Sequence, residues 1–357
     1  MNTLLNDALQ DFLKVEHIVP AGRGSLGICA ALRVWNKTGI VAVSSAVCQD
    51  VIAAILMADW VPFFCDVDLS TGLTKQTEWA RAREVGAKAA IVVHLYGNVA
   101  DTMEARAAFP DGLVIDDAAQ ALGGRLSPNS QLAGTSGNIG IFSFGKSKQI
   151  SVGGAVLAFN DLNFAKACAS ELALFPRATS QKSLAAELAF RNGLNTARLK
   201  LHKTGEREGF ANLLKDYYPA LHVNWQPDWS DSILNALESY PEALFIRREK
   251  ANVWKQVIVN SGLSPVGMGT YAAPWRFACR LPGCDWYHQN GLAEGLRKRG
   301  LEVSNWYFPA HWLMSEPSEK LLGVDQLAKE VFQFWLDDTI NTESILLAEK
   351  IINEIFI

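Results

Sequence analysis

Between residues 39 and 160 the chain alternates short apolar runs with helix-like stretches, and this alternation restricts the fold more than any other feature. The runs at 39–45, 61–67, 89–96 and 113–116 are rich in Val, Ile and Ala, and charge appears only near their ends. The stretches at 49–59, 77–85 and 102–108 read as helices. Strands that are apolar throughout, rather than at every second residue, are covered on both faces. Strand and helix in turn then indicate a mostly parallel sheet with helices on both sides. Ligands of such sheets bind outside the carboxyl ends of the strands. Asp116, Asp117 and the glycine-rich turn at 22–27 fall at positions of that kind.

The flanking regions read differently. Residues 1–14 suit an amphipathic helix rather than a signal peptide, and 15–19 is a poor strand candidate. Beyond 160 the alternation stops. Segments 165–174, 183–191 and 196–213 look helical and carry Arg191, Arg198, Lys200, Lys203 and Arg207. They form an expected helical insertion at about 160–215, with a solvated basic surface. A long helix at 230–259 leads out of the first domain. A strand at 273–280, a helix at 286–298, the stretch 301–307 and a last helix at 342–355 then indicate a smaller α+β domain. The expected division is 1–240 and 241–357.

Composition narrows the class. With 357 residues, 49% hydrophobic and 20% charged, the chain has material for two domains and a large core. A net charge of −4 gives no reason to expect nucleic acid or an anionic membrane as partner. No apolar run is long enough to span a bilayer. The six cysteines lack C-x-x-C pairing, as expected of reduced thiols in a cytoplasmic protein. The six histidines lack metal-binding spacing, so no metal is expected.

Three stretches carry candidate chemistry. Gly22-Arg23-Gly24-Ser25-Leu26-Gly27 has the G-x-G-x-x-G spacing, but no good strand precedes it and no acid follows near residue 45. That argues against a dinucleotide site. Gly24 and Ser25 at a helix start still offer free N–H groups and a hydroxyl to a phosphate; the competing reading is a helix cap by Ser25. Val114-Ile115-Asp116-Asp117-Ala118-Ala119-Gln120 sets two acids and an amide at a strand end. An ionised Asp117 can hold a protonated pyridine nitrogen, or either acid can cap a helix. Finally, Lys148 sits in a short polar link between the strand-like runs 139–144 and 155–159, closed by Gly153 and Gly154. A lysine there can form a Schiff base if it is desolvated or lies near another cation such as Lys146; otherwise it is a solvent-facing hairpin lysine.

In this order the pieces resemble the DegT/DnrJ/StrS sugar aminotransferases, within the fold-type-I pyridoxal phosphate enzymes. The matching residues are Gly24-Ser25, Pro62-Phe63-Phe64-Cys65-Asp66-Val67-Asp68, His94-Leu95-Tyr96-Gly97, Asp116-Asp117-Ala118-Ala119-Gln120, Gly140-Ile141-Phe142-Ser143-Phe144 with Lys148, Gly153-Gly154, and Trp306-Tyr307-Phe308-Pro309 with His311. The resemblance implies a large domain with a mostly parallel seven-stranded sheet covered by helices, a smaller C-terminal α+β domain, and pyridoxal 5'-phosphate as cofactor. It makes Lys148 the lysine that carries the cofactor and shuttles the proton. Asp117 would pair with the pyridine nitrogen and Gln120 would face the ring's phenolic oxygen. Gly24, Ser25 and Ser143 would hold the phosphate. His94, Trp306, Tyr307 and His311 align with substrate-lining positions.

The sequence also departs from the family pattern. Cys48 stands where many members stack an aromatic ring on the cofactor. The link after Lys148 is short and lacks the usual glutamate before the glycine pair. The asparagine that reaches the partner subunit's phosphate site has no clear match; Asn224 or, failing it, Gln226 is the candidate. The implied reaction is transamination of a nucleotide-linked keto-sugar with an amino acid donor, glutamate by expectation, in amino-sugar, polysaccharide or natural-product biosynthesis, by a homodimer. Related sugar dehydratases and deoxygenases commonly carry histidine in place of this lysine, so Lys148 argues against them. A lapsed, regulatory binding protein is the remaining alternative.

Overall fold

The computed structural model describes residues 1–211, 213–314 and 321–356. Helix α1 (Thr3–Leu13) begins the chain. Its apolar positions recur at helical spacing, so Leu5, Leu9 and Leu13 share one buried face. Each such leucine contributes roughly 1.5–3 kcal/mol by leaving water. The Asn2 side chain caps the helix by accepting from the Leu5 N–H at 3.0 Å.

Strand β1 (His17–Ala21) and helix α2 (Gly24–Trp35) follow, then β2 (Ile40–Ser44), α3 (Gln49–Met57), β3 (Val61–Cys65), α4 (Gln76–Glu84), β4 (Ala89–Val93), α5 (Thr102–Ala108) and β5 (Leu113–Asp117). The hairpin β6 (Ile139–Ser143) and β7 (Ala155–Phe159) completes the first sheet, whose order is β1-β7-β6-β5-β4-β2-β3. Strands β3, β2, β4, β5 and β6 run parallel, and β7 is antiparallel to both its neighbours. The poor strand expected at 15–19 is a real edge strand two residues further on. Pro20 is tolerated there, opposite Val156.

The basic segment is α6 (Leu162–Leu174) and α7 (Ser180–Thr204). The two helices expected at 183–191 and 196–213 correct to one 25-residue helix and a looser continuation. Gly193 lies inside it, and the Leu213 side chain fills the space a Cβ would take. The long α8 (Trp229–Val257) joins two cores. Its first half packs Ile233, Leu237 and Tyr240 against α1 and the sheet, while Trp254 and Val257 belong to the C-terminal core. The expected boundary at 240/241 thus falls inside one helix.

Strands β8 (Ser264–Pro265) and β9 (Phe277–Arg280), helix α9 (Trp286–Lys298), β10 (Val303–Ser304), α10 (Leu322–Glu330), β11 (Val331–Phe334) and α11 (Thr342–Phe356) build the C-terminal part. Its sheet is antiparallel, in the order β10-β11-β9-β8. Neither α10 nor β11 is evident from sequence patterning. Among the described residues, no helix is long and apolar enough to cross a membrane.

Candidate active site

The carboxyl ends of β5 and β6 and the start of α2 carry the candidate residues. Asp117 ends β5 and Ser143 ends β6. Asp116 and Asp117 are both buried and, as strand neighbours, face opposite ways. Asp116 is fully used inside the protein. Its carboxylate accepts from His94 Nε2 at 2.7 Å, from the Thr102 hydroxyl at 2.9 Å and from the Ser136 N–H at 2.9 Å. The Asp117 carboxylate accepts from the Ala119 N–H at 3.0 Å. Burial pushes its carboxyl above the usual range, against that bond and the nearby Lys148. A buried carboxylate in this state favours a cationic partner.

Lys148 lies on the β6–β7 hairpin, half-buried, with Nζ 5.6 Å from the centroid of the Trp275 ring. Lys146 is exposed. The short link closes tightly. The Phe144 carbonyl accepts from the N–H groups of Val152 and Gly153 at 2.9 and 2.7 Å, and its own N–H donates to Gly154 O at 2.9 Å. Gly153 and Gly154 have positive φ, and a Cβ on either would strike Trp229. The glycine pair therefore serves both backbone shape and close packing.

Gly24 opens α2 pressed against the Ile141 side chain of β6, so no larger residue fits without a shift. The helix N-cap is Arg23, whose side chain makes no capping bond. The cap reading of Ser25 is thereby corrected, since Ser25 sits one residue inside the helix. Its hydroxyl is buried with no partner among the described residues. Free first-turn N–H groups, the helix dipole and an unpaired hydroxyl together suit a phosphate.

Gln120 Oε1 accepts from the Tyr96 N–H at 2.7 Å. Cys48 is the N-cap of α3, and desolvation, with Asp50 beside it, pushes its thiol up to about 12 against the pull of Lys148. Tyr307 meets Tyr96 edge to face at 5.9 Å. Both hydroxyls are buried and unpartnered among the described residues. Burial, with Tyr96, Cys48 and Asp117 close by, holds the Tyr307 phenol well above its ordinary value.

The structure thus brings Lys148, Asp117, Cys48 and Tyr307 together, with Gln120 tied to Tyr96. It commits the other candidate substrate residues elsewhere. His94 is buried with both ring nitrogens used, one by Asp116 and the other accepting from the Ala100 N–H at 2.9 Å. The Trp306 ring stacks on Phe210 at 5.9 Å, toward the insertion. His311 holds Ser45 Oγ at 2.8 Å through Nδ1 and lies 3.6 Å from Asp325 through Nε2. Asn224 is exposed, with its backbone against Gly22 of the same chain.

Sequence reasoning gave no role to Tyr96, which it met only inside a motif, and missed Trp275 and Gln149. Tyr96 has φ of 59°, an uncommon conformation for a non-glycine residue. Gln149 donates to both Gln120 O at 2.9 Å and Ala273 O at 3.1 Å, tying the lysine hairpin to the Asp117 loop. Its place beside Lys148 was the only available signal.

The unpaired Ser25 hydroxyl, the buried Asp117 carboxylate and Lys148 fit pyridoxal phosphate, which would meet them through its phosphate, pyridine nitrogen and aldehyde. A mostly parallel seven-stranded sheet with one antiparallel strand, a lysine on its hairpin and a smaller C-terminal α+β unit defines the class, that of the fold-type-I pyridoxal phosphate enzymes. The chain belongs to the DegT/DnrJ/EryC1/StrS aminotransferase family, whose sequence profile matches residues 2–195.

Two curated relatives and one solved structure illustrate its range. It is 27% identical over 310 residues to the L-glutamine:2-deoxy-scyllo-inosose aminotransferase of Streptomyces paromomycinus, covering 83% of this chain and 66% of that one. It is 33% identical over 164 residues to a pleiotropic regulatory protein of Geobacillus stearothermophilus, covering 44% of this chain and 43% of that one. The chain therefore spans just under two thirds of the first relative and less than half of the second. A structure of DesI in the presence of its TDP-sugar product superposes with a TM-score of 0.75 at 17% identity, over 99% of this chain and 85% of that one. At that identity the likeness concerns the fold.

Proposed function

We propose that this protein is a pyridoxal phosphate-dependent aminotransferase that moves an amino group from an amino acid, glutamate or glutamine, to a nucleotide-linked keto-sugar, acting as a homodimer. The observation that carries the reading is Lys148 near the buried Asp117 carboxylate, with the Ser25 hydroxyl at the start of α2 buried and without a partner among the described residues. The cofactor, when bound, supplies an electron sink. Asp117 would pair with the pyridine nitrogen. Ser25, Ser143 and the first-turn N–H groups of α2 would hold the phosphate, and Gln120 would face the ring. Lys148 Nζ, once neutral, takes the proton from the donor's α-carbon and returns one to the acceptor in the second half of the cycle. Cys48, a protonated thiol, contributes a small apolar contact rather than charge.

The glutamine in the name of the Streptomyces paromomycinus relative supports testing both donors, and the TDP-sugar of DesI supports a nucleotide-linked acceptor. The test is visible absorbance of the purified protein with pyridoxal phosphate. The band is expected in wild type and Lys146→Ala and absent in Lys148→Ala. Glutamate or glutamine bleaches it, and keto-sugars with and without a nucleotide are compared for restoring it. A band that no donor bleaches supports a regulatory role instead, the reading favoured by the Geobacillus relative's name.

A further inference from the structure

Helix α7 lies along α9, and the open groove between them has a volume of about 900 Å³. Its chemistry is one-sided. Arg198 of α7 and Arg297 of α9 donate to the same atom, Asn305 Oδ1, at 2.8 and 2.7 Å. The two guanidinium groups therefore lie side by side. Neither has a carboxylate within ion-pair distance among the described residues. Glu294 on the groove wall acts on both at longer range, and its carboxylate accepts from Asn290 Nδ2 at 2.9 Å. Three more buried atoms of this cluster lack partners among the described residues: Asn305 Nδ2, Trp306 Nε1 and His202 Nε2. Arg198 also lies over the Trp306 ring at 4.9 Å.

A clamp built only to join two helices gains from a carboxylate between the arginines. Here two cations share one neutral side-chain oxygen, Arg297 is held further by the Val303 carbonyl at 3.0 and 2.8 Å, and the two repel each other more strongly because Arg198 is partly desolvated. An anion with several acceptor oxygens turns that repulsion into attraction. Paired guanidinium forks match phosphate oxygens in geometry as well as charge. Burial lowers His202 to about 4, so near neutral pH it adds a ring nitrogen and no third charge. On the α9 wall, Tyr287 is 75% exposed and offers a ring face on which a base can stack.

We propose that the α7–α9 groove binds a nucleoside diphosphate, with Arg198 and Arg297 clamping the diphosphate and Tyr287 stacking the base. A free nucleotide and the nucleotide end of a nucleotide-linked sugar share this chemistry. None of Lys148, Asp117, Cys48 and Tyr307 lines the groove, so it is a site apart from the lysine.

Isothermal titration of protein saturated with pyridoxal phosphate, so that the cofactor's phosphate site is filled, tests this with uridine diphosphate, thymidine diphosphate and inorganic pyrophosphate. Saturable binding that weakens with salt is expected. Arg198→Gln and Arg297→Gln should each weaken it by roughly tenfold, the loss of a charged hydrogen-bond pair. Tyr287→Ala, a change at an exposed position, should erase the preference for nucleoside diphosphates over pyrophosphate. Arg198→Lys guards against misfolding, since it keeps the charge and should keep the melting temperature while losing affinity. In the Lys148→Ala protein, competition by a uridine diphosphate sugar assigns the groove to the substrate's nucleotide end, and binding of the free nucleotide alone assigns it to an effector. No saturable binding of any probe, or affinity unchanged by both Arg198 variants, overturns the proposal.

Discussion

The amine of Lys148 lies 5.6 Å from the centroid of the Trp275 ring, and the indole N–H of the same tryptophan donates to the Ser147 carbonyl. Trp275 is itself fixed by its backbone N–H, which donates to Tyr96 O at 3.0 Å. A segment remote in sequence thus holds the lysine hairpin from outside the sheet. The cation–π contact is of the order of 0.5–2 kcal/mol. Trp275→Phe keeps the ring face and should lower kcat/KM a few-fold. Trp275→Ala should lower it by roughly tenfold. Equal effects in the two variants would mean that the indole N–H, not the ring, does the positioning.

Ser25 makes a prediction of opposite signs for two measurements. Its buried hydroxyl has no partner among the described residues, so Ser25→Ala removes an unsatisfied group from the cofactor-free protein. The melting temperature of that form should hold or rise slightly. Affinity for pyridoxal phosphate should fall by roughly tenfold, the loss of a hydrogen bond to a charged group. Parallel loss of stability and affinity would make Ser25 a packing residue.

Asp116 should behave as a structural residue despite sitting beside Asp117. Its carboxylate satisfies His94, Thr102 and Ser136 with no exposure. Asp116→Asn turns one acceptor into a donor facing donors and should cost about 3 kcal/mol or more in a denaturant titration. Asp117→Asn should leave the denaturation midpoint nearly unchanged and abolish activity. If Asp116→Asn instead keeps its midpoint and loses the cofactor, the two roles are reversed.

The buried His311 predicts an acid limb. Burial lowers its pKa to about 4, with Asp325 pulling upward less strongly, against about 6.5 in an unfolded chain. Between these values the unfolded chain binds more protons. Stability is therefore full above about pH 6.5 and is lost as the pH falls toward 4. The contribution is on the order of 2–3 kcal/mol. His311→Gln should flatten the pH dependence of unfolding in that window. An unchanged slope would place the acid sensitivity on other groups.

The parallel part of the sheet was readable because its strands are buried on both faces and so appear as unbroken apolar runs. The β6–β7 hairpin was readable for the same reason, with the glycine pair marking its close. Edge strand β1 was harder because its residues are only partly buried and Pro20 interrupts the pattern. Strand β11 escaped because it is four residues long, with Gln333 buried in its middle. The gap expected between 191 and 196 is helical, with Leu213 packed against Gly193 inside it.

By itself the sequence determined the sheet class and the lysine-bearing hairpin, because each depends on local composition and spacing, and the order of its motifs carried the resemblance to the family. Only the tertiary structure decided how identical chemistry divides. Asp116 and Asp117 are neighbours of one residue type, and the strand's alternation sends one to His94 and leaves the other near Lys148. Trp306 and Tyr307 divide likewise, one toward Arg198 and the other toward Tyr96. Trp275 joined Lys148 because chain segments remote in sequence pack together, a contact that no local pattern records.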